Sequence, residues 1–89
     1  MKKAIRFTAP WCSPCKTYEP IWNEVSQSRT DWTFEVVNID EASEVSSKYG
    51  IRSIPSTVLE TETGTLLAKY SGVISAKDLN LKLNEWNER

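Results

Sequence analysis

Cys12 and Cys15 are the only cysteines of this 89-residue chain, and both lie in the stretch Thr8-Ala9-Pro10-Trp11-Cys12-Ser13-Pro14-Cys15-Lys16. Two thiols at this spacing can be a structural staple, half of a metal site, a redox pair or inert core residues. A staple is a weak reading, because a bridge across two intervening residues constrains the unfolded chain little, and stapled secreted domains of this size carry more cysteines. Structural zinc is no better served: it wants four nitrogen or sulfur ligands, and the chain has no histidine and no second cysteine pair. Redox chemistry or two inert thiols remain.

The elements around the pair favour chemistry. Residues Ala4 to Thr8 alternate, with Ile5 and Phe7 on one face and Ala4, Arg6 and Thr8 on the other, as in a short strand. From Pro14 onward, Cys15, Tyr18, Trp22 and Val25 recur at helical spacing, Ile21 widens the stripe, and Pro14 suits a first turn. Cys12 is thus expected at a helix N-terminus with Cys15 one turn inside, and Pro20 is expected to kink the helix without ending it. A β-branched run over 32–40 predicts a second strand. Ala42, Val45 and Tyr49 predict one face of a short helix ended by Gly50. Residues 56–70 read as an antiparallel hairpin turning at Glu62 to Gly64. Ser75 reads as the N-cap of a last helix lined by Ala76, Leu79, Leu83 and Trp86.

Composition sets outer limits. At 39% apolar residues with four tryptophans the chain is globular, one domain over residues 1–89, and its net charge of −1 offers no field for nucleic acid or anionic membrane. The start, Met1 to Pro10, has positive charge but no apolar run long enough for a signal peptide, and no later run approaches a membrane span. A soluble, cytoplasmic monomer is expected.

The order β-α-β-α-β-β-α, with the first two strands parallel and a hairpin completing the sheet, leads to a resemblance. The chain resembles the thioredoxin family over nearly its whole length. Trp11 to Lys16 is similar to that family's WCGPCK, Pro20 falls at its helix proline, Val36 to Asp40 resembles its second parallel strand, and Tyr49 to Ser56 is similar to its YGIRGIPT. The resemblance implies an α/β thioredoxin fold: a four-stranded mixed sheet, order 2-1-3-4, flanked by three helices and read here as lacking the extra N-terminal strand and helix of longer members. It implies a thiol–disulfide oxidoreductase that reduces protein disulfides with no cofactor beyond a Cys12–Cys15 disulfide, recharged by an NADPH-dependent flavoprotein reductase. Within that reading Cys12 is the nucleophile, because a helix N-terminus stabilises the thiolate, and Cys15 resolves the mixed disulfide.

The resemblance also assigns a rim. It implies a cis Ile54–Pro55 bond facing the cysteines and a substrate strand on the Ile54 backbone, where the plain alternative is a trans-proline turn. Trp11 reads as contact surface in preference to core filler, and Gly72 as rim or simple turn residue. Trp22, Trp32 and Trp86 read as packing. Ser13 and Pro14 join Arg6 as residues that tune the redox poise, since Ser13 stands where the family has glycine. Arg6 stands where it has a buried aspartate, and Val36 where it has that residue's lysine partner. The positive charge of Arg6 is expected to favour thiolate and weaken the pair as a reductant, unless Arg6 snorkels to the sheet edge or pairs with a carboxylate. With the aspartate gone, water, a neighbouring acid such as Glu35 or Glu60, or nothing takes its place as proton acceptor for Cys15. Two other readings stay open. A glutathione-dependent glutaredoxin is disfavoured by Ser53-Ile54 before Pro55 and by the lack of aspartate in Tyr70 to Ser75. A binding subunit of the same fold would have only incidental redox activity.

Overall fold

The computed structural model describes residues 1–88. The elements run β1 (Lys3–Thr8), α1 (Ser13–Ser28), β2 (Thr33–Asn38), α2 (Ser43–Lys48), β3 (Ser56–Glu60), β4 (Leu66–Ser71) and α3 (Ala76–Asn87). The strands form one sheet in the order β2-β1-β3-β4, with β1 parallel to β2 and antiparallel to β3, and β3 antiparallel to β4.

β1 is interior to the sheet and is covered on both faces, which is why Ala4 through Phe7 are all buried. Its alternation sorts two cores. Ile5 and Phe7 pack with Val58, Tyr49 and Ile51 on the α2 side. Ala4 faces the larger core made by Tyr18, Trp22 and Val25 of α1 with Leu79 and Leu83 of α3. The helical stripe read from sequence is the buried stripe of α1, and Pro20 lies inside an unbroken 16-residue helix. Trp22 and Trp32 are buried and Trp86 packs partly buried against the same core, all three in packing roles.

One expectation needs adjustment. α2 buries none of its residues; Val45 is exposed, and only Tyr49, just past its end, reaches the core, edge-on to Phe7. A six-residue helix is too short to commit a whole face. β3 shows no alternation because every residue from Ser56 to Glu60 is buried, as befits an interior strand covered on both sides. β2 is an edge strand, and its exposed Val36 is flanked by Glu35, which pairs with Lys3 at 3.7 Å and puts charge on that edge.

Burial of polar groups is matched by specific bonds. Tyr18 Oη and Thr57 Oγ1, both fully buried, share a 2.7 Å hydrogen bond that ties α1 to β3. At the other face Tyr49 Oη donates to Glu60 at 2.5 Å, joining the end of α2 to β3. Ser75 caps α3 by accepting from Asp78 N–H at 3.1 Å, as its spacing predicted.

Tyr18→Phe leaves the Thr57 hydroxyl buried without a partner, and a loss of about 1–3 kcal/mol in urea unfolding is expected. Adding Thr57→Val should recover most of it; additive losses would show that the bond is not the stabilising link. Tyr49 is pushed up to about 12 by burial first and then by the Glu60 carboxylate. The stability this gives is fully present below the unfolded phenol value of about 10 and is lost as pH rises through the folded value. The stability difference between wild type and Tyr49→Phe should therefore shrink from pH 10 to 12; a constant difference counts against the coupling.

Candidate active site

β1 ends at Thr8 and the chain turns directly into α1, with Cys12 N–H donating back to Ala9 O at 3.2 Å. Cys12 is the N-cap of α1, in an extended conformation, and its sulfur accepts from Cys15 N–H at 3.2 Å. Pro14 occupies the first turn, where its missing N–H costs nothing, and Ser13 is the exposed first residue of the helix. The first turn contains no acidic residue, so the helix end presents uncompensated positive potential to Sγ of Cys12. The two cysteines form a disulfide, their Cα atoms 5.2 Å apart. Cys12 is 5% exposed and Cys15 1%, so both are buried and Cys12 is the less covered of the two. This is the order the sequence predicted.

Around the disulfide sits the rim. The Ile54–Pro55 peptide bond is cis. Ile54 O lies 3.8 Å from Cys12 Sγ, and Pro55 O accepts from Gly72 N–H at 2.8 Å. Gly72 has φ +88°, a backbone conformation that side-chain-bearing residues rarely adopt, so it serves as a turn residue, and its bond to Pro55 O sets it beside the cis peptide. Trp11 is 67% exposed, which removes the core-filler reading, and its indole donates to Asp40 at 2.9 Å. That anchor was not legible in sequence, because it joins residues 29 positions apart. Trp11, Ile39, Ile51, Arg52 and Ile54 border an open cavity of about 330 Å³ beside the disulfide. The site therefore sets a reducible disulfide beside an apolar, partly cationic surface.

Arg6 departs from one of its simpler expected fates. It forms no ion pair among the described residues: it is 5% exposed, its Nε has no hydrogen-bond partner, and its guanidinium lies 5.9 Å from the centre of the Trp22 ring. Burial lowers its pKa, against which the charge of Glu19 acts in the opposite direction. Arg6 stands opposite Val36 in the β1–β2 register, and it borders a second cavity, of about 490 Å³, together with Cys15, Glu19 and Asn38.

Neither carboxylate proposed from sequence serves Cys15. Glu35 stands opposite Ile5, on the face away from α1. Glu60 pairs with Lys3 at the far end of β1 and is taken by Tyr49. The acid that shares a cavity with Cys15 is Glu19, which sequence reading missed although its four-residue spacing from Cys15 on one helix was the available signal. Among the described residues no group of histidine, cysteine and carboxylate side chains could hold a metal ion, and no helix is long and apolar enough to cross a membrane.

Comparison with known proteins agrees with this geometry. A family model described as Thioredoxin matches residues 2–85. The thioredoxin of Mycoplasmoides gallisepticum is 46% identical over 78 residues, covering 88% of this chain and 77% of that protein. Thioredoxin 1 of Synechococcus elongatus is 45% identical over 56 residues, 62% of this chain and 52% of its own length. Among solved structures, oxidised thioredoxin from Plasmodium falciparum superposes with a TM-score of 0.83 at 29% identity, over 96% of this chain and 80% of that one. A malaria parasite thioredoxin-2 has a TM-score of 0.89 at 20% identity, over 96% of this chain and 82% of that one, and supports the fold alone.

Because the left-handed conformation costs a residue with a side chain about 1–2 kcal/mol, Gly72→Ala should lose about that much stability. No atom lies within 4 Å of the added methyl, so the cost comes from the backbone only. Urea unfolding that shows no loss would mean the rim loop relaxes freely.

Proposed function

The chain belongs to the thioredoxin family and is a thiol–disulfide oxidoreductase, and we propose that Cys12 attacks and Cys15 resolves in the reduction of protein disulfides. The observation that carries this division of labour is the N-cap position of Cys12: its sulfur accepts a helix N–H, and the residue is less covered than Cys15.

The chemistry balances without a further group. The Cys12 thiolate attacks one sulfur of the substrate disulfide, forming a Cys12–substrate bond and releasing the other substrate sulfur as a thiolate that takes a proton from water. The Cys15 thiolate then attacks Cys12 Sγ, forming the Cys12–Cys15 disulfide and expelling the second substrate thiolate. Two electrons pass to the substrate, and the chain is left in the oxidised form seen here. Trp11, Ile54, Pro55 and Gly72 form the docking rim. An extended substrate segment laid along Ile54 would bring its disulfide over Cys12, because Ile54 O already stands against that sulfur.

The oxidised pair must be reduced again for turnover. Family membership supports an NADPH-dependent flavoprotein reductase as the donor and protein disulfides as substrates. A reducing compartment such as the cytoplasm suits a chain that must spend most of its cycle as a dithiol.

Wild type should accelerate the reduction of insulin by a small dithiol, and Cys12→Ser should fall to the uncatalysed rate. Cys15→Ser should instead accumulate a mixed disulfide on Cys12. Trapping on Cys15 in the Cys12→Ser protein would reverse the assigned roles, and an inert wild type would leave the fold serving as a binding subunit.

A further inference from the structure

Cys15 can attack only as a thiolate, yet it is 1% exposed, and burial in an apolar setting favours the neutral thiol. Something must offset that cost. Cys15 borders the same cavity as Arg6, a residue 5% exposed whose Nε is buried without a hydrogen-bond partner and which forms no ion pair among the described residues. We propose that Arg6 is an electrostatic positioning residue that holds Cys15 as a thiolate in the reduced protein, so that mixed disulfides are resolved without a buried carboxylate base. This rests on the resolving role assigned to Cys15 above.

The surrounding charges support the direction. From α1, exposed Lys16 and Glu19 border the cavity with opposite charges that solvent weakens, and Glu19 still acts on Arg6. From β2, Val36 and Asn38 carry no charge, and from β1, Thr8 is neutral. Tyr18, which lies near enough to interact with Arg6, has its phenol pushed up by burial and stays neutral. Arg6 is thus the buried charge on this wall, and a guanidinium remains protonated at any physiological pH. At a site this little exposed its attraction for the sulfur exceeds what the same charge would exert in bulk water. The relation is reciprocal: an unpaired buried guanidinium is costly, and the Cys15 thiolate gives it a counter-charge that the disulfide does not. Reduction therefore relieves Arg6 as well as ionising Cys15.

In the resolving step the proton has already left Cys15 for solvent at the cavity mouth, where Glu19 stands. The thiolate then forms the bond to Cys12 and the substrate sulfur departs with the electron pair. The same attraction favours dithiol over disulfide, so removing the charge should make the pair a stronger reductant.

The test isolates Cys15 in reduced Cys12→Ser protein and follows thiolate absorbance against pH. Arg6→Gln and Arg6→Met should each raise the Cys15 pKa by about one unit, which is about tenfold less thiolate near neutrality, while Arg6→Lys restores most of it. With both cysteines present, Arg6→Gln should discharge a preformed Cys12 mixed disulfide about tenfold more slowly near neutrality and recover as pH rises. Independently of any Arg6 variant, the Arg6 Nε–H resonance of the Cys12→Ser protein should shift with the midpoint of the Cys15 titration. An unmoved Nε–H resonance, or a Cys15 pKa unchanged in a folded Arg6→Gln or Arg6→Met protein, overturns the proposal. A wild type that fails to reduce insulin counts against the function above but leaves the Cys15 titration to decide the role of Arg6.

Discussion

The placement of β1 is the constraint on which the rest depends. A strand bonded on both edges and covered on both faces has one place to send its chain, and that place is the start of α1. The free N–H groups of the helix then meet the first sulfur that the sequence supplies. Two cores hold the strand in register, the α2-side cluster through Ile5 and Phe7 and the α1–α3 cluster through Ala4. Slipping β1 by one residue would exchange the two faces, drive Arg6 into the α2-side core and carry the helix start away from Pro55.

The site combines an exposed rim with a buried centre, and the two make different demands. The rim has to bind many extended segments, so it is built from backbone atoms, an exposed indole and a glycine, none of which reads a particular side chain. At the centre a sulfur has to ionise beneath the surface, where fixed charge counts for more than hydrogen bonding by solvent. Arg6 is the residue in which structural and chemical roles meet. Its guanidinium lies against the Trp22 ring and borders the same cavity as Cys15.

The edge strand shows a similar economy. β2 leaves one row of backbone groups without a strand partner among the described residues, and the Lys3–Glu35 pair sets charge along that side. An exposed pair of this type adds little stability. Its use is to make the edge a poor template for another strand.

Local pattern was enough to read most of the fold in this sequence. The alternation of Ala4 to Thr8, the stripe of Cys15, Tyr18, Trp22 and Val25, the Ser75 cap and the proline and glycine positions each depend on neighbours within a few residues. The cysteine pair was legible for the same reason, since its spacing and its place at the start of a helix are local facts. What only tertiary structure decided are the relations between distant segments. Trp11 finds Asp40 across 29 positions, Glu60 is taken by Tyr49 and Glu35 by Lys3, and Glu19 comes to share a wall with Cys15 and Arg6. The short helix α2 misled because hydrophobic spacing shows which face would be buried but not whether anything comes to cover it. Arg6 shows the limit in a single residue. Its position on the α1 face of β1 follows from alternation, but whether a buried cation finds a carboxylate, reaches water or stands against a sulfur depends on side chains that meet only after the sheet and helices have packed.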